Sequence, residues 1–238
     1  MENKNIVIGI EGLVGSGKTS ICRKLLEEDK NAILLNGGNL YRAIVYTLMK
    51  QEPKLLKLRK LTKNVDIKKY MDDFKVEIRV EDRETKIYID GKLADEEELQ
   101  SKASSLAVSV VGGIADNTEL FKYARKLIDE LKVEHNVIVS GRSIMKIYPD
   151  VDYHLFITAS LEERVKRKCI QYKDKENKKE VKRNIIIRDI LQKLAGFYKI
   201  HKNTIKIDVT ECKSVEESTR KVLKYIKYTG EDINAIHK

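Results

Sequence analysis

The chain holds 238 residues, 42% of them hydrophobic, enough for one α/β domain with a small insertion. Its formal charge is +10, and its three cysteines are scattered without C-x-x-C spacing, which excludes a zinc site and a disulfide framework. No run approaches ~18 apolar residues, and the charged start Met1–Lys4 leads straight into a strand, so neither a membrane span nor a signal peptide is expected.

The apolar run Ile6–Ile10 predicts a buried strand, and Thr19–Leu26 predicts a helix. Between them, Gly12-Leu13-Val14-Gly15-Ser16-Gly17-Lys18-Thr19 fits the phosphate-binding pattern G-x-x-x-x-G-K-[ST] at every fixed position. Strand, glycine loop and helix in that order let several backbone N–H groups and a helix N-terminus face one phosphate. The stretch Gly12, Leu13, Val14, Gly15, Ser16, Gly17, Lys18, Thr19 and Ser20 is therefore expected to contact a nucleoside triphosphate. Lys18 would reach the β- and γ-phosphates, and the Thr19 hydroxyl would ligate magnesium. Glu11, beside the loop, reads either as a carboxylate that orients magnesium through water or as one at the core edge.

Ala32–Leu35 is a short apolar strand ending in the turn signal Asn36-Gly37-Gly38, and a helix follows from Leu40 to Met49, stopped by Pro53. Phe74–Val80 and Lys86–Ile89 alternate strictly, which predicts an antiparallel hairpin with one wet face, set apart from the buried parallel sheet. An acidic start at Asp95 opens further helical sequence, broken at Gly112-Gly113 and continuing from Asn117 to Lys132. Asn136–Ser140 and Tyr153–Ile157 are buried strands, each ending where a site loop begins in a doubly wound sheet. Ser160 with Glu163 forms a capping box for a helix that carries Arg164, Lys166, Arg167 and Lys168. The polar stretch Lys173–Lys182 reads as mobile. A helix from Arg183 to about Lys199, a strand Thr204–Asp208 and a helix Val215–Tyr228 complete the chain.

Five strands alternating with helices predict an α/β fold of P-loop NTPase type: a five-stranded parallel sheet with helices on both faces. A small antiparallel β insertion is added to it. The positive charge concentrates from Arg164 to Lys202 without the interleaved aromatics of single-strand binders, so it suits phosphorylated small molecules better than nucleic acid. The histidines, His135, His154 and His201 among them, show no metal spacing and read as structural or surface residues.

Several segments together resemble the cytidylate (CMP/dCMP) kinases. They are Ile10-Glu11-Gly12 through Ser20, Asn36-Gly37-Gly38-Asn39-Leu40-Tyr41-Arg42-Ala43, and Glu98-Leu99 with Ala103-Ser104. Val139-Ser140-Gly141-Arg142 with Tyr148-Pro149-Asp150, Thr158-Ala159-Ser160-Leu161-Glu162-Glu163-Arg164-Val165-Lys166-Arg167, Arg188-Asp189 and Ile207-Asp208 extend the match over nearly the whole chain. The resemblance implies one kinase domain over 1–238, with an acceptor-binding insertion at 64–115 and a lid at 160–185. It implies transfer of the γ-phosphoryl of ATP to CMP or dCMP with Mg2+, by a cytoplasmic monomer whose partners are small nucleotides rather than nucleic acid or membrane. Lys18, Arg164 and Arg167 would stabilise the transferring group, while Arg42, Ser104, Arg142 and Arg188 would hold the acceptor.

The acceptor side also departs from the family pattern. Gly37 replaces a Ser/Thr, Ser143 an Asp, and Gln192 and Ala195 the aspartate and arginine that follow Arg-Asp. The family's Pro-x-Val-Arg has no clear counterpart, and Lys122 or Arg125 is left to supply its charge. These losses leave two alternatives: a kinase with another acceptor (a different nucleotide, a small metabolite or a 5′-OH nucleic acid), or a nucleotide-binding protein without turnover. Retention of Lys18-Thr19 and the lid arginines argues against the second.

Overall fold

The computed structural model describes residues 4–43, 72–73, 75–94, 118–172 and 177–226. Ser104, the helical sequence from Asp95 and the end of the helix through Met49 lie outside the described residues. Five strands pair in parallel: β1 (Val7–Gly12), β2 (Ala32–Asn36), β6 (Asn136–Ser140), β7 (Tyr153–Thr158) and β8 (Thr204–Asp208). Their spatial order is β2-β6-β1-β7-β8, so the chain leaves β1 on one side and later crosses over it from β6 to β7. The carboxyl end of β1 is thus the switch point at which a doubly wound sheet opens a crevice.

Nearly every residue of β1 and β7 is buried, which is why these strands read as continuous apolar runs. On one face Ile8, Ile10, Leu34, Ile138, Leu155 and Ile207 pack against α1 (Lys18–Glu28) and, from the chain's end, Val222 and Ile226. On the other, Val7, Val137 and Val139 meet Ile128 of the helix Thr118–Lys132 and Ile144 of the short helix Ile144–Ile147. A third cluster joins Val14 of the glycine loop to Val165 of the helix Leu161–Gln171 and to Val181 and Ile185 of the helix Lys178–Leu194. With α2 at residues 37–43, these helices are α3 (Thr118–Lys132), α4 (Ile144–Ile147), α5 (Leu161–Gln171), α6 (Lys178–Leu194) and α7 (Val215–Leu223).

Three local readings are corrected. The hairpin β3 (Val76–Glu81) and β4 (Glu84–Ile89) is antiparallel as expected but does not stand apart: β4 lies beside β2, and Leu34 N–H donates to Arg83 O (2.8 Å), extending the sheet edge. Its two-residue turn Asp82-Arg83 has φ of 50° and 62°, the left-handed geometry that matches the twist of a tight hairpin. A two-residue strand β5 (Lys92–Leu93) follows the second such turn, Asp90-Gly91. Asn36-Gly37-Gly38 is not a free turn, because residue 37 already begins α2 and Asn36 Oδ1 caps it by accepting from Asn39 N–H (3.3 Å). In the stretch read as mobile, Lys178–Lys182 is the start of α6, capped by Asn177 Oδ1 accepting from Lys179 N–H (2.9 Å).

The far end of α6 also differs from the expectation. Gly196 takes φ 78°, Phe197 N–H donates to Gln192 O and Gly196 N–H to Lys193 O, both at 3.0 Å, so the helix closes in a Schellman motif at Leu194 rather than running to Lys199. That turn sends Phe197 and Tyr198 back toward the carboxyl end of the sheet.

Candidate active site

The glycine loop spans β1 and α1. A Cβ on Gly12 would stand 2.1 Å from Ile157 O, so only glycine lets the loop leave β1 alongside β7, where Leu13 N–H donates to that same oxygen (3.1 Å). Helix α1 starts at left-handed Gly17 with no side-chain cap and no acidic residue in its first turn, so its N-terminal N–H groups face the crevice with their positive end uncompensated. Lys18 Nζ donates to Gly12 O (3.0 Å) and Leu13 O (3.1 Å), spanning the loop from beneath. Ser16 Oγ is fully buried and, among the described residues, without a hydrogen-bond partner.

The loop opens onto a cleft of about 1180 Å³, lined by Lys18 and Thr19 on the donor side and by Arg42, Arg142, Lys168 and Arg188 across from them. These cations come from four different elements and the loop after β6. Burial pulls the Lys18 ammonium down to about 7, and nearby Arg142, Arg188 and Lys168 press it the same way. Burial, then Arg188 and Arg42, takes Lys168 to about 8. Arg42 falls to about 9 through burial and then its neighbours Arg188 and Arg142. Burial leads the lowering of Arg142 and Arg188 as well. A cleft that buries this many cations together is one built for a polyanion to fill.

Arg142 follows Gly141 in a turn where Ser143 adopts φ 55°, and its guanidinium lies 5.3 Å over the Phe197 ring. Gln192, 1% exposed, also lines the cleft; its Oε1 accepts from Tyr198 O–H (2.6 Å), which also lies 2.9 Å from Asp189 Oδ1. Gln192 Nε2 and Arg188 Nε are buried without a partner among the described residues.

Of the two lid arginines, Arg167 lines the cleft and Arg164 does not. Arg164 is buried, and its guanidinium donates to Ala159 O (3.1 Å), Val14 O (3.2 Å) and Asp189 Oδ2 rather than facing the cleft. Arg167 donates to Glu163 Oε1 (2.9 Å), Ser16 O (3.0 Å), Val209 O (2.9 Å) and Cys212 O (3.3 Å), on the rim beyond Gly17. Both arginines therefore fasten α5 to the carbonyl side of the loop, and the face they share turns toward the loop's backbone.

The cytidylate kinase family model matches residues 8–228. The chain belongs to that family. The cytidylate kinase of Thermotoga neapolitana is 31% identical over 227 residues, covering 92% of this chain and 96% of its own length. That of Aquifex aeolicus is 30% identical, with 92% and 95% covered, and that of Clostridioides difficile 30%, with 93% and 98% covered. As a member of the cytidylate kinase family the chain is a phosphotransferase, a nucleoside monophosphate kinase that uses ATP. Among the described residues no helix is long and apolar enough to cross a membrane.

Glu11 now separates its two readings. Its Oε1 accepts from Ile144 N–H (2.7 Å) and from His154 Nε2 (3.2 Å), both buried, so it serves the core edge rather than the triphosphate. A carboxylate only accepts, so Nε2 carries the ring proton. Nδ1 lies 2.8 Å from Thr204 Oγ1, which accepts from His201 N–H (2.9 Å). Through Ile144, Glu11 closes the turn that presents Arg142. Replacing Glu11 with alanine strands two buried donors, and the urea midpoint should report a loss of about 1–3 kcal/mol.

Neither candidate for the family's missing arginine faces the cleft. The side of α3 that lines it is Leu120, Phe121, Ala124 and Ile128, while Arg125 pairs with Asp150 (3.1 Å) on the outer side. Cleft residues that sequence reasoning did not place there include Lys168 and Phe197. Gly196, as a helix-stopping glycine before an aromatic residue, was the readable signal for Phe197.

Proposed function

We propose that this chain transfers the γ-phosphoryl of ATP to CMP or dCMP, giving CDP or dCDP. The observation that carries the reading is the convergence of Arg42, Arg142, Lys168 and Arg188 on one cleft opposite Lys18 and Thr19. One phosphate chain occupies the loop and a second phosphate needs its own forked donors, which Arg42, Arg142 and Arg188 supply. Lys18 exchanges the carbonyls of Gly12 and Leu13 for the β- and γ-phosphate oxygens, with the backbone of Gly12 through Ser20 around them. Ser104 is assigned to the base side. Residues 64–115 receive the acceptor, and residues 160–185 cover the phosphates, with Arg167 at the nucleoside rim.

Magnesium fits this donor set. Thr19 lines the cleft in the first turn of α1, and the orphaned Ser16 Oγ sits inside the loop that a metal triphosphate fills. When bound, the ion neutralises charge on the β- and γ-oxygens. Thr19 Oγ1 is the protein ligand in this reading, since Glu11 is held by Ile144 and His154. In this reading the chain works as a monomer, and Cys22, Cys169 and Cys212 are free thiols, in keeping with the cytoplasm.

A second reading, a kinase for another nucleoside monophosphate, is favoured by Gln192 alone: a neutral amide faces the cleft where the family places a carboxylate. An ADP-release assay across CMP, dCMP, UMP, AMP and GMP decides between them. CMP and dCMP should lead in kcat/KM by about 100-fold, the discrimination that a pair of matched buried hydrogen bonds supplies. Equal rates with all five would sink the assignment.

A further inference from the structure

We propose that Thr85, on the β3–β4 hairpin, is a positioning residue for the acceptor side: through Asn36 it sets the helix that carries Arg42. The inference rests on the phosphoryl-transfer reading above, in which Arg42 holds the acceptor phosphate, and adds to it what holds Arg42.

Among the described residues β4 meets β2 at one residue pair, Leu34 with Glu84. One residue further on, a side chain takes over from the backbone ladder. Thr85 Oγ1 accepts from Asn36 N–H (3.0 Å) and donates to Leu34 O (3.3 Å), and the residue is buried. Only a hydroxyl can serve both, since it accepts and donates at once. Asn36 is the last residue of β2, and on its other side it pairs with Ser140 of β6. Thr85 thus closes the second flank of the strand end from which α2 departs.

Asn36 hands the constraint to the site. Its Oδ1 accepts from Asn39 N–H (3.3 Å) and caps α2, and Arg42 follows three residues later on the same helix face. A helix this short moves as one piece, so a shift at its cap carries Arg42 with it. Burial, then the like charges of Arg188 and Arg142, works against a guanidinium at this place, and its backbone has to be held from outside the cation cluster. The hairpin is seated firmly enough to do so. Arg83 donates to Leu26 O and Asp29 O (both 2.8 Å) at the end of α1, where a cation meets the negative end of the helix. Glu84 pairs with Arg23 of the same helix (3.2 Å). Thr85, next in sequence, therefore ties α2 and its arginine to α1, the helix that opens with Lys18 and Thr19.

The test is a double-mutant cycle on Thr85 and Arg42, read by steady-state kinetics with CMP, or with whichever of the five monophosphates the parent prefers. Thr85→Val keeps the shape and loses both bonds. It should raise the KM for the monophosphate at least about fivefold while the KM for ATP, and slow ATP hydrolysis without acceptor, move less than about twofold. Thr85→Ser keeps the hydroxyl and should stay within about twofold of the parent throughout. In an Arg42→Met background Thr85→Val should add less than about twofold, because the group it positions is gone. A purely structural residue would lower both activities with the folded fraction and would not split the two KM values. A smaller rise than fivefold, a rise shared by ATP, or a fivefold effect that persists in Arg42→Met overturns the proposal. Should Thr85→Val not fold, Asn36→Ala, which removes the cap, takes its place in the cycle with the same expectations. Should the parent phosphorylate none of the five, the acceptor reading falls and the relay is judged by inorganic phosphate binding to protein loaded with a non-hydrolysable ATP analogue. Calorimetric affinity at least fivefold weaker in Thr85→Val supports it, and a smaller change, or no binding by the parent, overturns it.

Discussion

Exchanging Lys18 for methionine should abolish most phosphoryl transfer, by about 10²–10³ in kcat, and yet leave the free protein at least as stable as before. The two effects have one cause. Lys18 carries its charge into a crowded site whose burial and cations lower its proton affinity to about 7, against 10.5 in an open chain. Between those values the unfolded chain binds the proton that the folded one has released. Folding stability therefore rises with pH through that window, and the penalty is full below pH 7. Methionine removes the penalty together with the charge. Anion binding works against this gradient, because a polyphosphate beside Lys18 and Lys168 returns both to the ammonium form. At pH 8, ATP binding should take up roughly one proton, read from calorimetry in buffers of different ionisation enthalpy. Its affinity should fall as the pH rises past Lys168's value of about 8. Lys18→Met should take up measurably less, and a parent that takes up none would show that the crowding does not survive in solution.

Why the fold was readable and part of the site was not follows from where each signal resides. The strands β1, β6 and β7 are buried along nearly their whole length, so their sequence is mostly apolar and announces itself. The glycine loop is local too: eight consecutive residues hold its whole geometry. The cation cluster is of another kind. Residues 18, 42, 142, 168 and 188 are spread over three quarters of the chain, and only the β2-β6-β1-β7-β8 order sets them around one crevice. The family resemblance could supply Arg42, Arg142 and Arg188 because each sits in a short motif. It could not sort α5, where Arg164, Arg167 and Lys168 share neighbouring helical positions and their destinies depend on acceptors 150 residues away, Val14 O and Ser16 O. Arg164 and Arg167 both address the loop's backbone carbonyls.

Replacing Arg164 with alanine should cost about 3–5 kcal/mol of stability, the effect of stripping one partner from a buried ion pair. Three acceptors lose their donor at once. Asp189 loses its cation, and Ala159 O and Val14 O lose a charged donor in the packed space around Val165 and Val181. Lysine is no rescue at this position, since one ammonium on a flexible stem cannot reproduce a rigid fork that reaches two carbonyls and a carboxylate together. Pairing Arg164→Met with Asp189→Asn removes both charges and should recover part of the loss, a coupling that a double-mutant cycle reads directly. Arg167 bonds four acceptors against three for Arg164, yet its side chain is 23% exposed against 8%, so water can replace what Arg167→Ala gives up and the cost is smaller. The decisive comparison sets urea midpoint against kcat. If Arg164 serves by holding α5 to the loop, Arg164→Ala lowers the midpoint, and below it activity follows the folded fraction. A variant that kept its midpoint and lost kcat would instead put Arg164 among the groups that meet the phosphates.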